Sequence, residues 1–187
     1  MEFNKEKKEL SEIANLQIAY DRAVFEKFGE EWNACKCHLA LIDEIGEVNH
    51  VLKKLWCYWR ESQPKVDRDK LLEELADCLH FAMSYYINES LPYSVLNYAH
   101  TSEDLEDWIK NLAFDIVTEL EPNPYFNSFS LQKYRDEVEH IISFRSAVDL
   151  PMGVFAIAKL CGYTFDDLIK AYKEKNKTNW ERLENNY

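Results

Sequence analysis

Glycine and proline are scarce in this chain, four and five among 187 residues. A sheet-rich or low-complexity architecture needs far more turn formers, so long uninterrupted helices are the expectation. No run of about 18 uncharged apolar residues occurs, which excludes a membrane-spanning helix. Basic residues are also few: 22 Lys and Arg stand against 34 Asp and Glu, a net charge of −12. Binding nucleic acid through its phosphates requires a basic footprint, and none is visible. An acidic protein can still hold phosphates when divalent cations intervene. The five cysteines are odd in number, and the charged opening MEFNKEKKELSE has no signal-peptide pattern. A disulfide framework is therefore not expected, and the cytoplasm is the expected address. Cys35, Cys37 and His38 stand close together, but on a helix they point in different directions and no second half-site follows. They read as ordinary thiols and an ordinary imidazole.

What the chain does have is helical periodicity. Apolar residues mark helices over about 5–27, 31–60, 67–89, 102–120, 130–145, 151–161 and 165–178, the last running into a polar tail that ends at Tyr187. Thr101 with Asp104, and Thr164 with Asp167, have the spacing of capping boxes. EPNPYFN at 121–127 is a break. The expected fold is an all-α helical bundle, one domain over 1–187. The more polar and broken stretch 91–150 is read as a helical insertion or lid.

Two pairs of acids interrupt the apolar pattern. Glu44 and Glu47 share a face of the second helix, and Glu74 and Asp77 share a face of the third. Either pair alone usually marks a solvated face. Two pairs on consecutive helices, each beside an apolar stripe, can face one cleft if the helices pack as an antiparallel hairpin. Carboxylates so close repel one another and raise each other's pKa unless a cation sits among them. Mg²⁺ is the hard, oxygen-seeking ion that also retains water and substrate phosphates.

An E-x-x-E on one helix with an E-x-x-D on the next resembles the all-α, MazG-like nucleoside triphosphate pyrophosphohydrolases. Finer details resemble the dimeric dUTPase family. They are EELADCLHFAMS at 73–84 with its His80–Phe81, LWCYWR at 55–60, LQIAYD at 16–21, and the closing KNKTNWERLENNY at 175–187. The stretch 91–150 carries no matching motif. The resemblance implies hydrolysis of dUTP to dUMP and pyrophosphate, with dUDP as a possible second substrate, in a homodimer holding two or more Mg²⁺ ions. Glu44, Glu47, Glu74 and Asp77 would be the catalytic and metal-holding acids, with Glu47 or Glu44 also orienting or deprotonating the attacking water. Gln17 and Asp21 would read the uracil edge, Trp59 or Trp56 would wall the base pocket, and His80 would lie near the deoxyribose. Lys175 and Arg182 would pair with phosphate oxygens, Asn179 would meet sugar or base, and Tyr187 would complete the substrate-binding set.

Two departures stand out, the first removing a phosphate-facing cation and the second bearing on specificity. Cys57 stands where the family often has Lys, and Asp21 where several members carry Asn. A carboxylate accepts the N3–H of uracil but cannot donate to O4. A MazG-like hydrolase of dCTP or another nucleotide is therefore one alternative. A non-catalytic helical interaction protein, whose acids are only surface features, is the alternative of a different class.

Overall fold

The structure is a computed structural model that describes residues 4–29, 31–60, 62, 64–90, 109–116, 118, 129–143 and 146–185. The described residues form eight helices and no strand: α1 (Asn4–Phe28), α2 (Ala34–Val51), α3 (Lys53–Trp56), α4 (Arg68–Ser90), α5 (109–116), α6 (Leu131–Ile142), α7 (Asp149–Leu160) and α8 (Phe165–Glu184). The all-α expectation holds. The Thr101 cap, the break at 121–127 and Tyr187 lie outside the described residues. None of the helices is long and apolar enough to cross a membrane.

The centre is α4. Leu71, Leu75, Ala76, Cys78, Leu79, Ala82, Met83 and Ile87 are all buried, so the helix is apolar around most of its circumference. It packs on α2, α7, α8 and α1. From the stretch 91–150, Ile109, Leu112 and Ile116 of α5 and Tyr134 and Ile141 of α6 join the same core. Cys37 Sγ meets the Phe81 carbonyl, and Glu44 lies among Glu74 and Asp77. Residue numbers thus fall on one helix as they rise on the other, making α2 and α4 antiparallel neighbours.

Two helix ends differ from the sequence reading. The second helix was expected to reach 60, but α2 ends at Val51 and only the short α3 follows. The Trp56 indole N–H donates to the Asn49 carbonyl at 3.0 Å, taking an acceptor that the amide of residue 53 would use in a continuing helix. The last helix was expected to stop near 178 and instead runs to Glu184. It lies along α1: Lys5 pairs with Asp166, Lys173 with Glu9, Tyr172 with Gln17 and Tyr20 with Trp180, and Lys27 donates to the Leu183 carbonyl. These numbers rise together, so α1 and α8 run in the same direction and α1 supports the polar end of α8. Thr164 and Asp167 form the expected capping box.

Where α6 crosses α7, Gly153 permits the contact. A Cβ there would stand 2.6 Å from Ile141 Cγ1, a fully buried side chain. Gly153→Ala is expected to destabilise the fold by about 1–3 kcal/mol through overpacking, read as a lower midpoint in thermal denaturation. Because Cγ1 is the atom met, the added cost of Gly153→Ala should shrink in an Ile141→Ala background, where that carbon is gone.

Candidate active site

The α1 stripe at Leu10, Ile13, Ala14, Gln17, Ile18 and Asp21 is wholly buried. Its three–four spacing carries two polar residues inward, because residues at these intervals share one helix face. Gln17 is 3% exposed and Asp21 7%. Gln17 Nε2 donates to Asp21 Oδ1 at 2.7 Å; the other carboxylate oxygen accepts from Ser84 Oγ at 2.8 Å and Asn88 Nδ2 at 3.2 Å. Burial pushes the Asp21 carboxyl up to about 6, against the pull of those three donors. Burial likewise pushes His80 down to about 4, so its ring is neutral at pH 7.

On the antiparallel pair α2 and α4, carboxylate oxygens of Glu44, Glu74 and Asp77 lie within 4.8 Å of one another. The Glu44 carboxyl is pushed up from 4.5 to about 7, first by burial and then by the charges of Asp77 and Glu74, with Lys175 opposing. Asp77 is raised too, chiefly by burial, and Lys175 again opposes. Lys175 Nζ reaches over from α8 to Asp77 Oδ2 at 2.6 Å and Glu73 Oε1 at 3.0 Å. Lys70 pairs with Glu74. The donor set is therefore three converging carboxylates with two ammonium groups at its margin. An all-oxygen, strongly negative set of this kind suits a hard divalent cation.

A cavity of about 530 Å³ opens beside this cluster, within the size range of small-molecule sites. Four helices line it with single stripes. From α4 come Asp77, His80, Phe81 and Ser84; from α1 Gln17, Tyr20 and Asp21; from α2 Lys36, Cys37, Ala40 and Glu44; from α8 Asn179 and Arg182. Asp77 and Ser84 are seven residues apart on α4, or about 10 Å along the helix. The wall thus runs from the acids to the buried Asp21–Ser84 pair.

Of the residues singled out in the sequence, Gln17, Asp21, Glu44, Asp77, His80, Asn179 and Arg182 meet at this cavity, with Glu74 and Lys175 at the acidic cluster. Glu47 is exposed and outside the converging group, although its charge is felt by Lys70. Trp59 is 59% exposed, packs on Trp56 and does not line the cavity. Trp56 faces a different hollow, beside Tyr134 and Arg135. The aromatic lining comes instead from Tyr20, Phe81, Phe25, Phe28 and Trp32, the last three of which sequence reasoning passed over. Trp32 adjoins the Asn33 cap of α2, and a large aromatic beside a helix start was the available clue. All five cysteines are thiols, outside any disulfide. Among the described residues, the metal-competent group is the carboxylate cluster and not Cys35–His38.

A helical bundle with converging carboxylates on the edge of a cavity lined by buried polar groups and aromatics has the make-up of an all-α phosphohydrolase. The dUTPase family model matches residues 9–187, nearly the whole chain, and the chain belongs to that family, the all-α type that its motifs resembled. Its activity is that of a dUTP diphosphatase. A comparison with the curated proteins finds no match.

Proposed function

We propose that the chain hydrolyses dUTP to dUMP and pyrophosphate, and also accepts dUDP, with two or more Mg²⁺ ions held by Glu44, Glu74 and Asp77 and approached by Glu47. The observation that carries this reading is the convergence of three carboxylates on one edge of a cavity whose far wall is a buried amide–carboxylate pair. When bound, the ions would neutralise phosphate charge and make a water easier to deprotonate. The chain's own residues do the rest. Glu44, a carboxylate on the cavity edge beside Asp77, orients the attacking water and takes its proton. Lys175 and Arg182 on α8 face the phosphates, and Asn179, one turn before Arg182, meets the sugar. Gln17 and Asp21 meet the base edge, with Phe25 and Trp32 beside them.

A second substrate follows from one observation. Asp21 already accepts from three neighbours, so it offers the base an acceptor. An acceptor takes the N3–H of uracil or the N4 amino group of cytosine, and dCTP is the competing substrate. Pyrophosphate and phosphate release should be measured across dUTP, dUDP, dCTP and the other deoxynucleoside triphosphates, with Mg²⁺ and with EDTA. The expected result is turnover of dUTP and dUDP that EDTA abolishes and Mg²⁺ restores. A preference for dCTP would replace the uracil reading. Undiminished turnover in EDTA would remove the metal, and silence on every nucleotide would favour the non-catalytic alternative.

We also read the protein as a homodimer. The exposed Leu55, Tyr58 and Trp59 around α3, with Leu39, supply apolar surface for a second copy. Sedimentation equilibrium should report twice the chain mass, and a monomer at micromolar concentration would sink this part of the reading.

A further inference from the structure

We propose that Tyr172 is a positioning residue for base recognition: its hydroxyl holds the Gln17 side-chain amide in one orientation, so that Gln17 and Asp21 present a fixed hydrogen-bonding pattern to the cavity. The inference rests on the reading that Gln17 and Asp21 meet the base. Tyr172 sits on α8 with no exposed surface, does not itself line the cavity, and drew no attention in the sequence. Its hydroxyl donates to Gln17 Oε1 at 2.6 Å and lies 3.3 Å from the Ile13 carbonyl. Its ring stacks on His80, centroids 4.0 Å apart and planes inclined by 15°. His80 Nδ1 lies 2.9 Å from the same Gln17 oxygen.

An amide is nearly symmetric in shape and opposite in chemistry at its two ends. Once its oxygen is held from the core side, its nitrogen must face Asp21, as it does at 2.7 Å. The second N–H of Gln17 and the remaining lone-pair capacity of Asp21 then form a donor–acceptor pair. A flipped Gln17 would set a carbonyl against a carboxylate on one side and against a base carbonyl on the other.

His80 alone is a poor lock. Its two ring nitrogens face two carbonyl oxygens, Gln17 Oε1 and Tyr172 O at 3.3 Å, and a neutral ring has only one N–H to give. The Tyr172 hydroxyl also has two carbonyl oxygens in reach, but Gln17 Oε1 at 2.6 Å is much the nearer and Ile13 O at 3.3 Å is at the edge of hydrogen-bonding distance. Tyr172 is also anchored by the stacked rings and by its place on α8 among the buried Leu168, Ile169 and Asn176.

Tyr172→Phe keeps the ring, the stacking and the volume and removes only the hydroxyl. The expected result is a rise of about tenfold in KM for dUTP, the usual scale for one lost hydrogen bond in a desolvated site. Within the same variant, kcat should stay within about twofold and the ratio of kcat/KM for dUTP over dCTP should narrow. In a Gln17→Met background, where no amide remains to be oriented, Tyr172→Phe should raise KM no further. A fall in kcat with KM unchanged, or an undiminished effect in the Gln17→Met background, would overturn the inference. If Gln17→Met raises KM and Tyr172→Phe does not, Gln17 meets the base without help from Tyr172. If Gln17→Met leaves KM unmoved, the base reading itself fails and the inference falls with it. Should Tyr172→Phe alone fail to fold, the double variant decides: recovery of folding once the orphaned amide is gone supports the assignment, and continued failure reduces Tyr172 to core packing.

Discussion

Glu44→Gln is expected to lower kcat for dUTP by about a thousandfold while leaving the fold intact, on the scale seen when a single charge-stabilising group is deleted from an active site. The substitution preserves shape and removes the charge. It should also change stability in the opposite sense to activity. The carboxyl of Glu44 is pushed up to about 7 by burial and by Asp77 and Glu74. Between about 4.5 and 7 the folded protein therefore holds more of this proton than the unfolded chain does, so folding stability falls as pH rises through that window. The uncharged amide of the variant carries no such penalty. In EDTA, the thermal midpoint of the variant should equal that of the parent near pH 4.5 and exceed it increasingly towards pH 7. With Mg²⁺ present the order should reverse, because an ion that binds the folded parent stabilises it by mass action. Equal midpoints at all pH values would mean that Glu44 is not crowded by its neighbours. Activity within tenfold of the parent would remove it from the reaction.

The same cluster shows where the sequence was informative and where it was not. Spacing alone places Glu74 beside Asp77 and Glu44 beside Glu47, since residues three apart share a helix face. It does not say at which residue two helices cross. The antiparallel packing of α2 on α4 brings Glu44 opposite Glu74 and Asp77, and leaves Glu47 further along, near Lys70. Trp59 was placed at the base by the resemblance of its segment alone; in the structure α2 ends at Val51 and Trp59, beyond α3, is largely exposed. The burial of Gln17 and Asp21 was not read from the sequence, although the pattern carried it. They fall in phase with Leu10, Ile13, Ala14 and Ile18, and phase is a stronger guide than the average polarity of a residue type. The continuation of α8 was harder to read. Beyond residue 178 its apolar side chains are Trp180 and Leu183, and what holds that turn is α1, a partner more than 150 residues away in the chain. The role of Tyr172 was invisible for a related reason: a buried tyrosine reads as core until the partner of its hydroxyl is known.

Lys175→Met is expected to separate two jobs that one ammonium group performs. In the structure Lys175 neutralises the acids, bridging Asp77 and Glu73 with a side chain only 11% exposed. Burial pulls its pKa down, but the bonds to those two carboxylates outweigh this and the group is raised, hence charged. Removing the charge leaves Asp77 partly buried without its cation. In EDTA the fold should lose roughly 1–3 kcal/mol at neutral pH, between the values for exposed and buried pairs. The loss should fade in acid: without Lys175 the Asp77 carboxyl, already raised, rises further, and protonation relieves it. An ion entering the cluster of the parent must compete with this ammonium. In the variant it need not, so Mg²⁺ or Mn²⁺ measured by calorimetry should bind about tenfold more tightly, or about 1.4 kcal/mol. Turnover of dUTP should nevertheless fall by about a hundredfold, because the cation assigned to the phosphates is gone, at a cost typical of a charge-assisted hydrogen bond. Tighter ion binding with poorer catalysis is the signature of a lysine that leaves the carboxylates when ions and nucleotide arrive. Unchanged ion affinity would confine Lys175 to the phosphates, and unchanged turnover would confine it to neutralising the acids.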